Sequence, residues 1–594
     1  MIVPMKRVTL LAPRGEREAV IAELGELGAV HLRPVQPPAA ESIDALEAAL
    51  AAVDAALAHL PVARAGTDPS AATDEVEARI ADIRSLAAHC SELDGEREQL
   101  MTQRRWFDRW GSVSLESLNA LRDSGVHVRF YRAEKKGFGR TLRDDPRVRL
   151  CGRDRDAAYL ALITDDPEAA LDLPEAPMPP VEYADLLARL AANAEAREAV
   201  EAALLAHGGH RADLEAHRDD LERRLAVERA RHGMGADGPL CYVQGFCPEP
   251  GVAALTERVR ANGWGIWIDD PGEAHEVPTL VQTPRWVKII EPVFAFMGTV
   301  PGYREYDVSP WFLVFFALFF AMLVGDAGYG ALFLLTTALL TPKLRRLPGR
   351  PHHLMFVLSG ATLVWGALSG NWFGYENLAR LPVLSALVVD PLNGFVEANQ
   401  GFLMRMCFVI AVAQLSLARL LAALRHLPGL KGLAEVGWIA ILWAMYFVAG
   451  ELVLMDPMPA FTLPLFGAGV VLVLFFSHPN RNPFKAMGAA LTGLPLDVIG
   501  AFSDVVSYIR LFAVGFATLI VAESFNGMAL GIGFATVTDG LVAALILFVG
   551  HGINIVLALL AVVVHGIRLN MLEFSGHLGM QWSGRPYRPF RNGN

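Results

Sequence analysis

The chain has 594 residues, 53% of them hydrophobic, and a formal net charge of −11. This length predicts several domains, and an acidic balance without a dominant basic run argues against a nucleic-acid-binding protein. The composition divides near residue 308: Ala, Glu, Arg, Asp and His dominate before it, and apolar blocks follow, most of them near or above the ~18 residues that suggest a bilayer span.

The opening stretch MKRVTLLAPRGEREAVIAELGELGAVHLRPV reads as strand, helix, strand. Val8, Leu10 and Leu11 form the first strand, Val20, Leu24 and Leu27 repeat at helical spacing, and Gly28 ends the helix. Charge soon interrupts the short apolar run, so no signal peptide is expected and the soluble half is placed in the cytoplasm. Two Ala-, Glu- and Arg-rich blocks, within 41–110 and 182–234, carry the period of long helices or a coiled coil. Between them, VHVRFYRA and AYLALIT read as strands, and GPLCYVQGFCPEPGVAALTERVRANGWGIWIDD again reads strand, helix, strand.

The economical arrangement is a mixed architecture with a rod-like arm. Residues 1–40 with 235–275 form a proximal α/β lobe, and 111–175 form a distal one. Residues 41–110 with 182–234 form a long antiparallel coiled-coil arm between them. A linker at 276–308 leads to a membrane domain at 309–578, and a cytoplasmic tail covers 579–594. Cys90, Cys151, Cys241, Cys247 and Cys407 are few and scattered and fit no usual zinc spacing, which predicts a reduced compartment and no metal.

Apolar segments fall at about 309–325, 327–341, 354–373, 402–424, 434–454, 460–477, 487–526 and 536–571. Eight spans return the C-terminus to the side on which the chain entered. PKLRRLPGRPHH, RHLPGLKG and HPNRNPFK supply basic loops on one side, whereas the opposite loops hold only Arg380. This asymmetry predicts cytoplasmic termini. GDAGYG (325–330) is short enough only for a tight hairpin, and Gly366, Gly370 and Gly374 are read as one helix face admitting a close neighbour. As helices the last two segments would each exceed ~50 Å, against a hydrocarbon core of ~30 Å, so they must tilt or protrude.

SDVVSYIRLFAVGFATLIVAESFN (503–526) carries a charge inside an apolar run. An arginine at a helix centre costs about 2.5–3.5 kcal/mol on insertion scales and normally faces a bundle interior or aqueous cavity. At about 100° per residue, Ser503, Ser507, Arg510 and Thr518 fall within an arc of roughly 80°, with Asp497 and Asp504 at its edge. The last segment repeats the pattern, with His551, Asn554, His565 and Arg568 on one face. Two polar stripes with embedded arginines suggest an ion path. A guanidinium stays protonated and cannot relay a proton, but it can hold a carboxylate ionised. That carboxylate could be Asp504, in a structural salt bridge, or could belong to another subunit.

SDVVSYIRLFAVGFA, FFAMLVGDAGYG, GATLVWGALSGNWFG and HGIRLNMLEFSGHLGMQWSGRPYRPF resemble the large membrane stator subunit of rotary V-type ATPases, called subunit I in prokaryotic V/A-type enzymes and subunit a in eukaryotes. MKRVTLLAP…LGELGAVHL and YVQGFCPEPGVAAL (242–255) resemble that family's proximal lobe, so the likeness spans the chain. It implies two lobes on a coiled-coil arm followed by an all-α domain of eight transmembrane helices, the last two long and tilted. It also implies that Arg510 pairs transiently with the ion-binding carboxylate of a proteolipid rotor ring, and that Arg568 reinforces the barrier between two offset half-channels. Asp497 and Asp504 would line the cytoplasmic half-channel, and Thr518, Glu523, His551 and Asn554 the outer one. Ser503, Ser507, His565 and Glu573 complete the candidate set.

Thr518 and Ala558 stand where eukaryotic relatives often have a histidine and a glutamate. The implied partners are the rotor ring, peripheral-stalk heterodimers, the central-stalk cap subunit, indirectly the catalytic head, and the lipid bilayer. The implied location is the plasma membrane. No GxxxxGK[ST] phosphate loop is present, so ATP chemistry is expected elsewhere in the complex, with no cofactor here. The alternatives are a self-contained secondary transporter, which should show repeats and broken helices, a two-span divalent-cation channel, and a scaffold whose arginines are structural.

Overall fold

The computed structural model describes residues 1–61, 73–134, 145–272, 276–345, 351–426, 429–477 and 483–591. The N-terminal part begins with β1 (Met5–Pro13), α1 (Arg17–Leu27), β2 (His31–Arg33), α2 (Glu41–Ala58), α3 (Thr73–Trp110) and α4 (Leu115–Asp123). It continues through β3 (His127–Glu134), β4 (Val148–Arg153), β5 (Ala157–Thr164), α5 (Tyr183–Ala206), α6 (Arg211–Gly233), β6 (Gly235–Asp237), β7 (Leu240–Pro248), α7 (Val252–Ala261) and β8 (Gly265–Asp269).

Alternating apolar residues place Val8 and Leu10 on the buried face of β1, which pairs antiparallel with β7 and, on its other edge, with β8. The sheet order is β2-β7-β1-β8, with β6 also on β7, so one sheet joins two segments far apart in sequence. Gly28 ends α1 in the left-handed region at φ 58°, where a Cβ is disfavoured. A second sheet, β3-β5-β4, packs on the end of α3 through Trp106, Phe107 and Trp110. Helices α2, α3 and α6 bury Val53, Ile83 and Leu214 against one another. The second Ala-, Glu- and Arg-rich block forms α5 and α6, separated by a 3₁₀ turn at His207–His210 that contains Gly208 and Gly209.

The apolar part contains α8 (Ser309–Val324), α9 (Ala327–Leu344), α10 (Pro351–Ser369), α11 (Gln400–Arg425), α12 (Lys431–Leu454), α13 (Thr462–Phe476), α14 (Pro483–Ser507), α15 (Ile509–Ile532) and α16 (Val537–Ala561). Four described helical runs are each long and apolar enough to cross a membrane; they include Gly493–Ile532, with 40 residues, and Val537–His577, with 41. Helices α8 and α9 form one pair bent by 120°, and α13 is a shorter apolar helix. Their shared core centres on Phe312, Phe319, Phe408, Leu415, Ile441 and Tyr508. Of the basic loops used to assign orientation, 346–350, 427–428 and 478–482 lie outside the described residues.

Two expectations are corrected. Gly366, Gly370 and Gly374 do not share a helix face, because α10 ends at Ser369 and the latter two take φ of 72° and 63° in the following turn. Two of them still serve close packing: a Cβ at Gly366 would lie 2.0 Å from the backbone nitrogen of Ala327, and one at Gly374 2.4 Å from Ala522 Cβ. The stretch left between the last two apolar segments, 527–535, is helical as far as Ile532, and only residues 533–536 separate α15 from α16.

The tail also has a definite place. Arg585–Pro586 pairs in parallel with Pro278–Thr279, Tyr587 donates its hydroxyl to Ala29 O at 2.6 Å, and the Phe590 amide donates to Val30 O at 2.8 Å. The Phe590 ring is buried in the same core as Val8, Leu24 and Val243. Burial pushes the Tyr587 phenol up to about 12.

Candidate functional site

The polar groups of the last two long helices form separate clusters. In the first, Arg510 near the start of α15 donates from Nε to Ser507 O at 2.8 Å and from Nη2 to Glu573 Oε1 at 3.0 Å. Arg568 Nε lies 3.4 Å from the same oxygen. Glu573 is 4% exposed, whereas Arg510 is 23% and Arg568 54% exposed. Glu573 Oε2 is buried without a hydrogen-bond partner among the described residues. The carboxylate beside Arg510 is therefore Glu573 rather than Asp504.

Both Arg568 and Glu573 follow a change in helix type. α16 passes into π-helical turns at Val562–Gly566 and Leu569–Phe574. The i→i+5 pattern holds more residues per turn than an α-helix, so placing His565 and Arg568 on one face with His551 by 100° steps fails beyond Ala561. Asn570 Nδ2 donates to Gly566 O at 3.1 Å, within this rewound segment. Gln414 Nε2 donates to Asn570 Oδ1 at 3.0 Å and Tyr508 donates to Gln414 Oε1 at 2.8 Å, which ties α11, α16 and the α14–α15 junction together.

A second cluster lies beside it. Arg419 Nε donates to His577 Nδ1 at 3.0 Å, and Arg419 Nη1 contacts Glu435 Oε2 at 3.0 Å. A guanidinium only donates, so Nδ1 is an acceptor and the imidazole proton sits on Nε2, 3.0 Å from Asp504 Oδ2. Asp504 thus has a histidine partner.

The third cluster carries no formal charge. Asn554 Nδ2 donates to Thr518 O at 2.9 Å and to the Tyr329 hydroxyl at 3.1 Å. The Tyr329 proton is then free to go to His551 Nδ1 at 2.7 Å, which leaves His551 Nε2 to donate to Asn526 Oδ1 at 3.2 Å. Asn526 Nδ2 donates to Phe373 O at 2.6 Å, so every donor and acceptor role along this chain agrees. Tyr329 is held by the hairpin: Asp326 caps α9 by accepting from the Tyr329 amide at 3.1 Å, and it also accepts from Phe373 N at 3.0 Å.

The remaining candidates are less connected. Thr518 and Ser507 donate to backbone carbonyls one turn back, Gly515 O and Asp504 O, each at 2.7 Å. Asp497, Ser503 and Glu523 are exposed and make no side-chain hydrogen bond or ion pair among the described residues. His565 is half-buried, and its Nδ1 has no hydrogen-bond partner among the described residues. Sequence reasoning did not select Tyr329, Asn526, Gln414, Asn570, Arg419, Glu435 or His577. The usable signal was polar residues inside apolar helices, above all Gln414 and Arg419 in α11.

No family model matches the chain. It is 32% identical over 624 residues to V-type ATP synthase subunit I 1 of Treponema pallidum, covering 100% of both chains. Identity to V-type ATP synthase subunit I of Borreliella burgdorferi is 29% over 626 residues, covering 100% of this chain and 99% of the relative. A-type ATP synthase subunit I of Methanocaldococcus jannaschii is 25% identical over 411 residues, covering 62% of this chain and 58% of the relative. Among solved structures, a cytoplasmic N-terminal domain of subunit I, homolog of subunit a, of V-ATPase aligns with 44% of this chain and 99% of its own, at 16% identity and a TM-score of 0.26. With the full length of both chains matched at 32% identity, this protein belongs to the V-type ATP synthase subunit I family.

Proposed function

We propose that this chain is the membrane stator of a rotary V/A-type ATPase/synthase and couples H⁺ or Na⁺ flow to rotation of a proteolipid ring. The observation that carries this reading is a pair of partly exposed arginines converging on one carboxylate, on helices that are otherwise apolar. An intramembrane arginine is expensive unless it has a partner or an aqueous path. Here the partner leaves both guanidinium groups accessible, so a carboxylate on a moving ring could pair with Arg510.

In this reading eight spans carry the membrane part, both termini are cytoplasmic, and the α2, α3, α5 and α6 helices form a coiled-coil arm reaching the peripheral stalks and the central-stalk cap. The membrane is the plasma membrane. The Asp504–His577–Arg419 cluster belongs to the cytoplasmic half-channel and the Tyr329–His551–Asn554 cluster to the outer one. Nucleotide chemistry resides in the catalytic head.

A second reading, a scaffold whose Arg510 is structural, is favoured by the Arg510–Glu573 pair itself. A cross-link separates the two. Ser503 is exposed and lies on the Arg510 side of its helix, so Ser503→Cys in the whole complex, paired with a cysteine one turn from the rotor carboxylate, is expected to form a disulfide that stops ATP-driven pumping until it is reduced. Failure to cross-link, in a complex containing both cysteines, supports the scaffold.

A further inference from the structure

We infer that Glu573 is a positioning residue that holds Arg510 while no rotor carboxylate is present, and that this three-residue set is built to accept one further carboxylate. The inference rests on the reading of Arg510 as facing the rotor. Three observations carry it.

Glu573 is the most buried member of the set, yet only one of its oxygens is used: Oε1 meets both arginines, and Oε2 has no partner among the described residues. A proton-relaying carboxylate in an aqueous half-channel would be solvated, whereas this side chain is 4% exposed. The contacts also leave two guanidinium groups sharing one carboxylate, an excess of one positive charge. The other nearby groups do not cancel it by contact. Asp504 is 35% exposed and directed to His577, Glu435 is held by Arg419, and the His577 proton faces Asp504.

The exchange needs no bond-making chemistry. An arriving deprotonated carboxylate takes the Arg510 Nη2 donors while Arg568 keeps Glu573, so no buried charge is left alone at any point. On departure, Glu573 recovers Arg510. Without Glu573, the two guanidinium groups would hold the arriving carboxylate too tightly to release it promptly, because removing one member of a buried ion pair leaves the other uncompensated. Without Arg568, Glu573 would compete with the rotor carboxylate for Arg510 on equal terms.

The charge count makes the test. ATP-driven ion pumping is measured in vesicles with the whole complex at equal assembly, for Glu573→Gln, Arg568→Gln, the double variant, and Arg510→Gln as control. Each of the first two changes the excess charge and is expected to lower pumping by about tenfold or more, Glu573→Gln by leaving a guanidinium uncompensated and Arg568→Gln by leaving Glu573 to compete for Arg510. The double variant restores the excess of one and is expected to recover to within about threefold of wild type. A double variant that fails to assemble, or that pumps no better than the worse single variant, overturns the inference, as does a Glu573→Gln complex that pumps normally. If instead Arg510→Gln also pumps normally, the stator reading itself has failed.

Discussion

The two ends of the last helix pair handle buried polarity in opposite ways. Around Tyr329, His551, Asn554 and Asn526 the groups are uncharged, and each proton has one consistent place in a chain running from Thr518 O to Phe373 O. Around Arg510, Arg568 and Glu573 the groups are charged, unequal in number and partly exposed. The backbone differs too. The uncharged chain uses regular α-helix and a capped hairpin, whereas the charged set follows π-helical turns of a kind that often mark functional sites. Only Asn554 Oδ1 lacks a partner in the uncharged chain among the described residues, and a network whose donors are all placed rigidifies a packed interior. A charge set short of one partner suits a surface that meets a moving one.

The contrast predicts that stability and coupling can be separated. The largest stability loss lies outside both ends. Phe590→Ala empties a buried position in the core beneath the β2-β7-β1-β8 sheet and should destabilise that part of the chain by about 3–5 kcal/mol. Thermal unfolding of the purified complex would show this, with pumping per assembled complex unchanged; a parallel loss of pumping would mean that tail and coupling are linked. A smaller change breaks the uncharged chain. Tyr329→Phe removes the donor to His551 Nδ1 and an acceptor for Asn554, which should cost about 1–3 kcal/mol of stability. In a pumping assay it should reduce the rate far less than any change at Arg510; equal losses at the two sites would dissolve the distinction drawn between them.

Which parts of this arrangement can be read from sequence depends on the range of the interaction. A charge inside an apolar run is visible locally, which is why Arg510 and Arg568 stand out, and short motifs with the preceding strand–helix–strand pattern carry the family resemblance. Partnerships across the chain are not visible. Asp504 and His577 are 73 positions apart, and Tyr329 and His551 are 222 apart. Helical arithmetic works while the backbone stays α-helical, then loses its phase at Val562. The glycine stripe misled for a related reason: four-residue spacing predicts a helix face only if the helix continues, and α10 stops at Ser369. The tail escaped notice because it has almost no secondary structure of its own, so nothing periodic announces where Phe590 lodges.

The central claim is that Arg510 couples ion flow to rotation, and ATP-driven ion pumping by the intact complex carrying Arg510→Gln tests it most directly. The account predicts that pumping is lost although the complex assembles to the wild-type level and its catalytic head still hydrolyses ATP. Pumping at the wild-type rate would contradict it and leave Arg510 as half of a structural salt bridge with Glu573.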